Sequence, residues 1–272
     1  MKNSFFLFLL IIVACNRPAS NKENNTSSHS DTATFQLPAA ISFNEHVAPI
    51  IYKNCSNCHR PGESGPFPLT NYAEVYRKKK TIEKVVRLGI MPPWPADASY
   101  SHFVGELILT DRDKKMITAW LKQGAKEGSA KLKPNFPIFP KGSQIAKPDL
   151  VLKMPKKYLL KGDNKDHYWI MKIPFEIPKN QFVKTIEFVP GNRKIIHHVN
   201  GYMVVYDDHQ KKNVWDGEWM VPNYEGTLAA AWEKLKITND DGTFPLRIPS
   251  VTNYLPGVTP AIYPNGIGGF EM

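Results

Sequence analysis

Cys55-Ser56-Asn57-Cys58-His59 places two thiols and an imidazole within five residues. Two thiols spaced in this way can add to the two vinyl groups of one haem, and the next residue, His59, is then held beneath the iron as an axial ligand. The spacing reads as the attachment sequence of a c-type haem (heme c). Other chemistries also use paired cysteines. A zinc site needs further Cys or His ligands at similar spacing, and none lies around this pair. A thioredoxin-like pair belongs at a strand end in a βαβ unit, which this stretch does not encode. A structural disulfide is the remaining alternative. The immediate histidine, the helical surroundings and an export signal favour haem over it.

The second axial ligand must come from further along the chain. Met91 lies in Gly89-Ile90-Met91-Pro92-Pro93-Trp94-Pro95, where the prolines stiffen the loop and fix where the thioether points. A Met opposite a His raises the reduction potential, because soft sulfur favours ferrous iron. His102 and Met116 are the other downstream candidates, and core filling is the commonest use of a methionine. We expect His59 and Met91 to ligate the haem iron and Trp94 to pack at the macrocycle edge.

A second constellation is Gly191-Asn192-Arg193-Lys194-Ile195-Ile196-His197-His198-Val199. Adjacent imidazoles suit copper. Neighbouring side chains on a regular strand point to opposite faces, so both histidines can grip one metal only at a strand end or a bulge. Otherwise one of them is a core or surface residue.

The elements that must position these groups follow from periodicity. Ser42-Phe43-Asn44-Glu45 opens a short apolar-periodic segment through Val47, Ile50 and Ile51. Asn71 to Leu88 is a longer helix stopped by Gly89. Thr110 reads as an N-cap with Asp113 at the third helical position, and Ile117, Trp120 and Leu121 line one face before Gly124. Residues 129 to about 160 are rich in Pro and Lys. From Tyr168 the period changes to that of strands: Tyr168 to Pro174, Phe182 to Phe188 and Gly201 to Tyr206, with turns such as Pro190-Gly191-Asn192. The expected architecture is multi-domain. An all-α haem domain at 39–130 and a Pro/Lys-rich linker at 131–160 precede a partial all-β sandwich, jelly-roll-like, at 161–272.

The N-terminus gives the expected location. Lys2 precedes an apolar run, Phe5 to Val13, too short to span a bilayer as a mature helix. It ends Ile12-Val13-Ala14-Cys15, which resembles the lipobox of bacterial lipoproteins. Residues 1–14 are then a signal peptide, Cys15 the lipidated residue, and 15–38, rich in Asn, Ser, Thr and Lys, a flexible tether. The expected place is the bacterial cell envelope, lipid-anchored at the periplasmic face. Lys and Arg total 35 against 25 Asp and Glu, a net charge of +10. The lysines are spread along the chain with no arginine-rich stripe, so a solvated surface is expected rather than nucleic-acid binding. An acidic membrane surface or an acidic redox partner would also use this charge. With 42% hydrophobic and 22% charged residues, disordered and fibrous classes are excluded.

Two resemblances add to these readings. Residues 43 to 128 resemble a class of bacterial cytochrome c domain with the pattern CxxCHRPGE, a PF turn, an MPPW loop and a last helix ending WxxxGAxEG. The matching residues are Cys58 through Glu63, Pro66-Phe67, Met91 through Trp94, and Trp120 through Gly128. This resemblance implies His59 and Met91 as axial ligands. Residues 148 to 272 resemble the N-terminal half of the copper type II, ascorbate-dependent monooxygenases, through PGNR-x-x-x-HH, Pro256-Gly257 and Tyr263 to Gly266. It implies that His197 and His198 ligate an electron-transfer copper. The family completes that site with a third histidine and holds a second copper through a His-x-His pair and a Met. This chain has no histidine after His209 and no His-x-His, so the sandwich is expected to be incomplete at Met272. The expected activity is single-electron transfer through the haem, with a redox protein or small-molecule reductant as partner. No catalytic residue is assigned. The alternatives are a haem-linked copper monooxygenase in a longer protein, and a tethered cytochrome with a non-catalytic binding module.

Overall fold

The computed structural model describes residues 36–145, 147–177, 181–207, 209–223, 226–263 and 269–271. The signal segment, Cys15, nearly all of the tether, Pro264 to Gly266 and Met272 lie outside the described residues. Leu37–Met272 clusters as one compact unit, distinct from Met1–Gln36. No helix among the described residues is long and apolar enough to cross a membrane.

The helical half forms where the sequence supplies stops and caps. Phe43–Val47 winds as a π-helix and runs directly into α1, Ala48–Asn54, with Pro49 in the first turn, where its missing N–H costs nothing. The Asn71 side chain caps α2, Tyr72–Arg87, by accepting from the Glu74 amide at 3.1 Å. Gly89 follows α2 with φ +67°, a left-handed stop that glycine adopts freely. A full capping box opens α3, Asp111–Lys122: Thr110 accepts from the Asp113 amide, and the Asp113 carboxylate accepts from the Thr110 amide.

These helices bury one core of Phe43, Val47, Ile51, Val75, Ile117 and Trp120, with Val86 and Leu109 beside them. The Phe43 ring lies 5.5 Å from that of Tyr72 and 6.0 Å from that of Trp120. The segment after α3 is strapped back onto the first helix. Trp120 Nε1 and the Phe43 amide both donate to the Lys126 carbonyl, each at 2.9 Å.

In the strand-rich half, β1 (Trp169–Met171) pairs with β4 (Met220–Pro222), and β2 (Phe182–Val183) with β6 (Phe270–Glu271). β3 (Val199–Val205) pairs with β5 (Leu246–Tyr254), from Val199 opposite Tyr254 to Val205 opposite Leu246, with an irregularity between Gly201 and Met203. All three ladders are antiparallel. Helix α4, Leu228–Leu235, packs Ala231 and Leu235 against Val221 and Ile237 in a second, smaller core.

The expected all-α domain followed by an all-β sandwich is therefore corrected. Among the described residues the fold is mixed, with three separate two-stranded sheets and a helix inside the strand-rich half. The causes are local. Pro174 cuts the first apolar run after Met171, because proline cannot donate to a ladder. Leu228-Ala229-Ala230-Ala231-Trp232 is a strong helix former, with Thr227 as its cap. In the helical half, Pro61, Gly62, Gly65, Pro66 and Pro68 keep the stretch between α1 and α2 irregular, and Pro92, Pro93 and Pro95 do the same after α2.

Candidate haem site and the histidine pair

The CxxCH motif coils on from the end of α1. The Cys55 amide donates to Ile51 O at 2.8 Å, and the His59 amide to Cys55 O at 2.9 Å. Cys55 and Cys58 thus lie about one helical turn apart. Ser56 between them is fully buried and donates to Ile51 O at 3.3 Å and Leu69 O at 3.1 Å, which pins the turn to the core. Gly65 closes the loop: its amide donates to Cys58 O at 3.1 Å, and a Cβ there would lie 2.5 Å from that oxygen.

Both cysteines are free thiols. Burial pushes the Cys55 thiol up to about 12, helped by the neighbouring Cys58. Burial also raises Cys58, with Glu63 adding to the effect and Arg60 opposing it. Redox-active CxxC pairs have the opposite property, a depressed thiol that supplies thiolate. The environment of this pair therefore argues against thioredoxin-like chemistry.

His59 is half-buried, with Nδ1 3.0 Å from Phe67 O and its ring 4.9 Å from the Phe67 ring. A carbonyl oxygen only accepts, so Nδ1 carries the proton and Nε2 keeps its lone pair. That is the tautomer of an imidazole metal ligand whose other nitrogen is oriented by a hydrogen bond.

Met91 sits on the loop after α2, its amide donating to Val85 O at 3.3 Å and its side chain exposed. Leu88, Ile90, Phe103 and Val104 on the same stretch are also exposed. His102 is paired with Glu106 at 3.0 Å, and Met116 is buried in the helical core. Of the three candidate ligands, Met116 is committed to the core, while Met91 Sγ and His102 Nε2 both remain on exposed side chains outside the core. Trp94 packs its ring 6.2 Å from Phe103 and buries Nε1 with no hydrogen-bond partner among the described residues.

The donor set is that of a covalently attached haem, and a thioether at Cys58 would replace its contact with the Pro256-Gly257 turn. Free thiols, an oriented imidazole, an apolar loop open to solvent and an orphaned indole N–H are what such a group would engage. The structure brings Cys55, Cys58 and His59 onto one turn. It holds Met91 on a separate loop, joined to them by no hydrogen bond or ring contact among the described residues.

His197 and His198 lie just ahead of β3 on irregular backbone, so the alternation of a regular strand does not separate them. Both are exposed, with Nδ1 atoms 3.0 Å apart and rings at 73°. With metal–nitrogen bonds of about 2.0–2.1 Å, that spacing corresponds to an angle of about 90° at one metal. The same spacing serves a hydrogen bond between neutral imidazoles. No group of three or more His, Cys, Asp or Glu able to hold a metal occurs among the described residues, so the pair supplies two ligands and no third.

Sequence reasoning missed a seam between the two halves. Glu63, nearly buried, takes Arg60 at 2.7 Å and Arg193 at 3.8 Å. Arg60 also stacks 3.9 Å over the Phe139 ring and donates to Ser56 O at 3.2 Å and to Asn57 O. Cys58 Sγ donates to Pro256 O at 3.5 Å. CxxCHRPGE, PGNR and Pro256-Gly257 were each legible as motifs, but nothing in their spacing said that they meet.

No family model matches the chain, and neither does any curated protein or solved structure.

Proposed function

We propose that the chain is a c-type haem protein that transfers single electrons, held at the bacterial cell envelope by a lipid on Cys15. Cys55 and Cys58 would anchor the macrocycle, and His59 Nε2 and Met91 would supply the axial ligands. The bound haem supplies a one-electron ferric–ferrous couple. The observation that carries this reading is the His59–Phe67 hydrogen bond beside two thiols outside any disulfide on the same turn. Phe67 O holds the imidazole, Ser56 fixes the turn, and the MPPW loop offers the thioether and an apolar cover. The partner is a redox protein or a small-molecule reductant, and the charge pattern gives no reason to invoke nucleic acid.

The His197–His198 pair supports a second reading, in which the chain also binds copper as part of a larger monooxygenase. Its support is the 3.0 Å approach of the two Nδ1 atoms.

The deciding experiment is expression in a host with c-type haem maturation, followed by a haem stain on a denaturing gel and a pyridine haemochrome spectrum. Haem that stays with the polypeptide supports the reading. A folded wild-type chain without covalent haem, made beside a correctly matured control cytochrome, overturns it.

A further inference from the structure

A turn from the strand-rich half covers the second cysteine of the attachment motif. Cys58 Sγ donates to Pro256 O at 3.5 Å. Gly257 beside it has φ +78°, and a Cβ there would overlap Cys58 Sγ and come within 3.6 Å of Asn57 Cβ. Only a glycine lets the turn close on the sulfur in this way. Asn57, Arg60 and Glu63 on one side and Gly257, Val258 and Thr259 on the other enclose a cavity of about 30 Å³. That is room for little more than a water molecule.

The turn is anchored at both ends, while its tip is lightly tied. Tyr254, the last residue of β5, is buried and pairs with Val199. On the other side the Thr185 hydroxyl donates to Ala261 O at 2.7 Å. Between these anchors the Val258 amide donates to Leu255 O at 3.1 Å, and the side chains of Leu255 and Val258 are exposed. Arg193 reaches Glu63 at 3.8 Å and donates to Gly142 O at 2.7 Å, which ties the halves together independently of the tip. The tip can therefore withdraw from Cys58 without either half unfolding.

Haem attachment changes the group that this turn touches. Thioether formation joins Sγ to one vinyl carbon and moves the thiol proton to the other, so nothing leaves and no oxidant is needed. A carbon on Sγ in place of that proton would lie inside contact distance of Pro256 O, and Gly257 fills the space beside it. We infer that the Pro256-Gly257 turn is a removable cap on the Cys58 thiol, closed over the free sulfur and displaced when the thioether forms. The inference rests on the haem reading above. The cap keeps one thiol of the CxxC pair from oxidation in the cell envelope, where disulfides form and persist. It also couples haem attachment to the position of the turn after β5.

The test uses the full chain in two preparations, one made without haem maturation and kept reduced, the other loaded with haem. In the first, iodoacetamide labelling followed by peptide mass spectrometry reads Cys58 separately from Cys55. Cys58 should react about tenfold more slowly than in the urea-unfolded chain, as a group reached only through local opening does. Gly257→Ala, whose Cβ meets the sulfur, should bring Cys58 close to the unfolded rate and leave Cys55 unchanged. Hydrogen exchange over 255–263 then compares the two wild-type preparations, and should be faster in the haem-loaded chain. This second measurement needs no variant and decides the matter if G257A does not fold. Cys58 labelled at the unfolded rate in the reduced wild type, or at the wild-type rate in a folded G257A, overturns the inference. So does exchange over 255–263 that is no faster with haem. A wild-type chain matured without covalent haem overturns the haem reading instead, and the labelling of Cys58 still reports on the cap, so the two failures are distinct.

Discussion

His59 points Nδ1 at the carbonyl oxygen of Phe67, 3.0 Å away, and so leaves Nε2 as its free ring nitrogen. A hydrogen bond on the far nitrogen strengthens imidazole as a donor and fixes its plane. His59→Ala should therefore lose the low-spin ferric spectrum of the haem-loaded chain, or prevent haem uptake altogether. Absorbance and EPR read the difference. A low-spin spectrum identical to wild type would show that another residue takes the proximal position.

Met91→Ala should keep the haem covalently attached, because Cys55 and Cys58 are untouched. The weak far-red sulfur-to-iron band should disappear and the midpoint potential should fall, since the soft ligand that favours ferrous iron is gone. Persistence of the band would refute the assignment. Met116→Leu should leave the band in place, because Met116 is committed to the core.

The helical half was legible because its signals are local. Asn71, Thr110 with Asp113, Gly89 and Gly124 mark helix ends through hydrogen bonds or φ angles that act within a few residues, and the structure has each of them at the expected place. The strand-rich half was not legible in the same way. Its pairings join residues far apart, such as Val199 with Tyr254, and periodicity within one segment says nothing about its partner. Met220–Pro222 is too short to show a period, and the helix at Leu228–Leu235 went unrecognised inside a stretch read as all-β. The Cys55-x-x-Cys58-His59 motif could be read from spacing, and the structure sets its three side chains on one turn. The Phe67 carbonyl that orients His59, and the Pro256-Gly257 turn against Cys58, are products of the fold. His197 and His198 directly precede β3, which is the strand-end position that the alternation of side chains required if both were to face one metal.

Trp120 is 1% exposed, packs against Phe43 and donates to Lys126 O at 2.9 Å. Trp120→Ala removes the largest fully buried side chain among the described residues and leaves a cavity, at a cost of about 3–5 kcal/mol. Thr110→Ala removes only the α3 cap and should cost about 1 kcal/mol. Urea titrations of the two variants should differ accordingly in midpoint with similar slopes. Equal midpoints would show that Trp120 does not hold this core together.

Asp240 gives a test of acid stability away from both metal candidates. Its carboxylate accepts from the Lys212 amide at 3.0 Å and lies 3.5 Å from Lys211 Nζ. The Lys212 hydrogen bond, then the Lys211 charge, hold the carboxyl below the usual carboxylate range despite some desolvation. A depressed folded pKa means that the unfolded chain binds the proton more tightly. The contribution is then fully present above the unfolded value of about 3.9 and is lost as pH falls through the folded one. Asp240→Asn should therefore melt slightly below wild type at neutral pH. The gap should narrow once pH drops below about 4, where wild type also becomes neutral at this position. The group is exposed, so the difference will be small and is best read as a trend in Tm across a pH series. A gap that stays constant down to acid pH would show that the charge on Asp240 contributes nothing, and that any loss comes from the weaker acceptor that asparagine offers to the Lys212 amide.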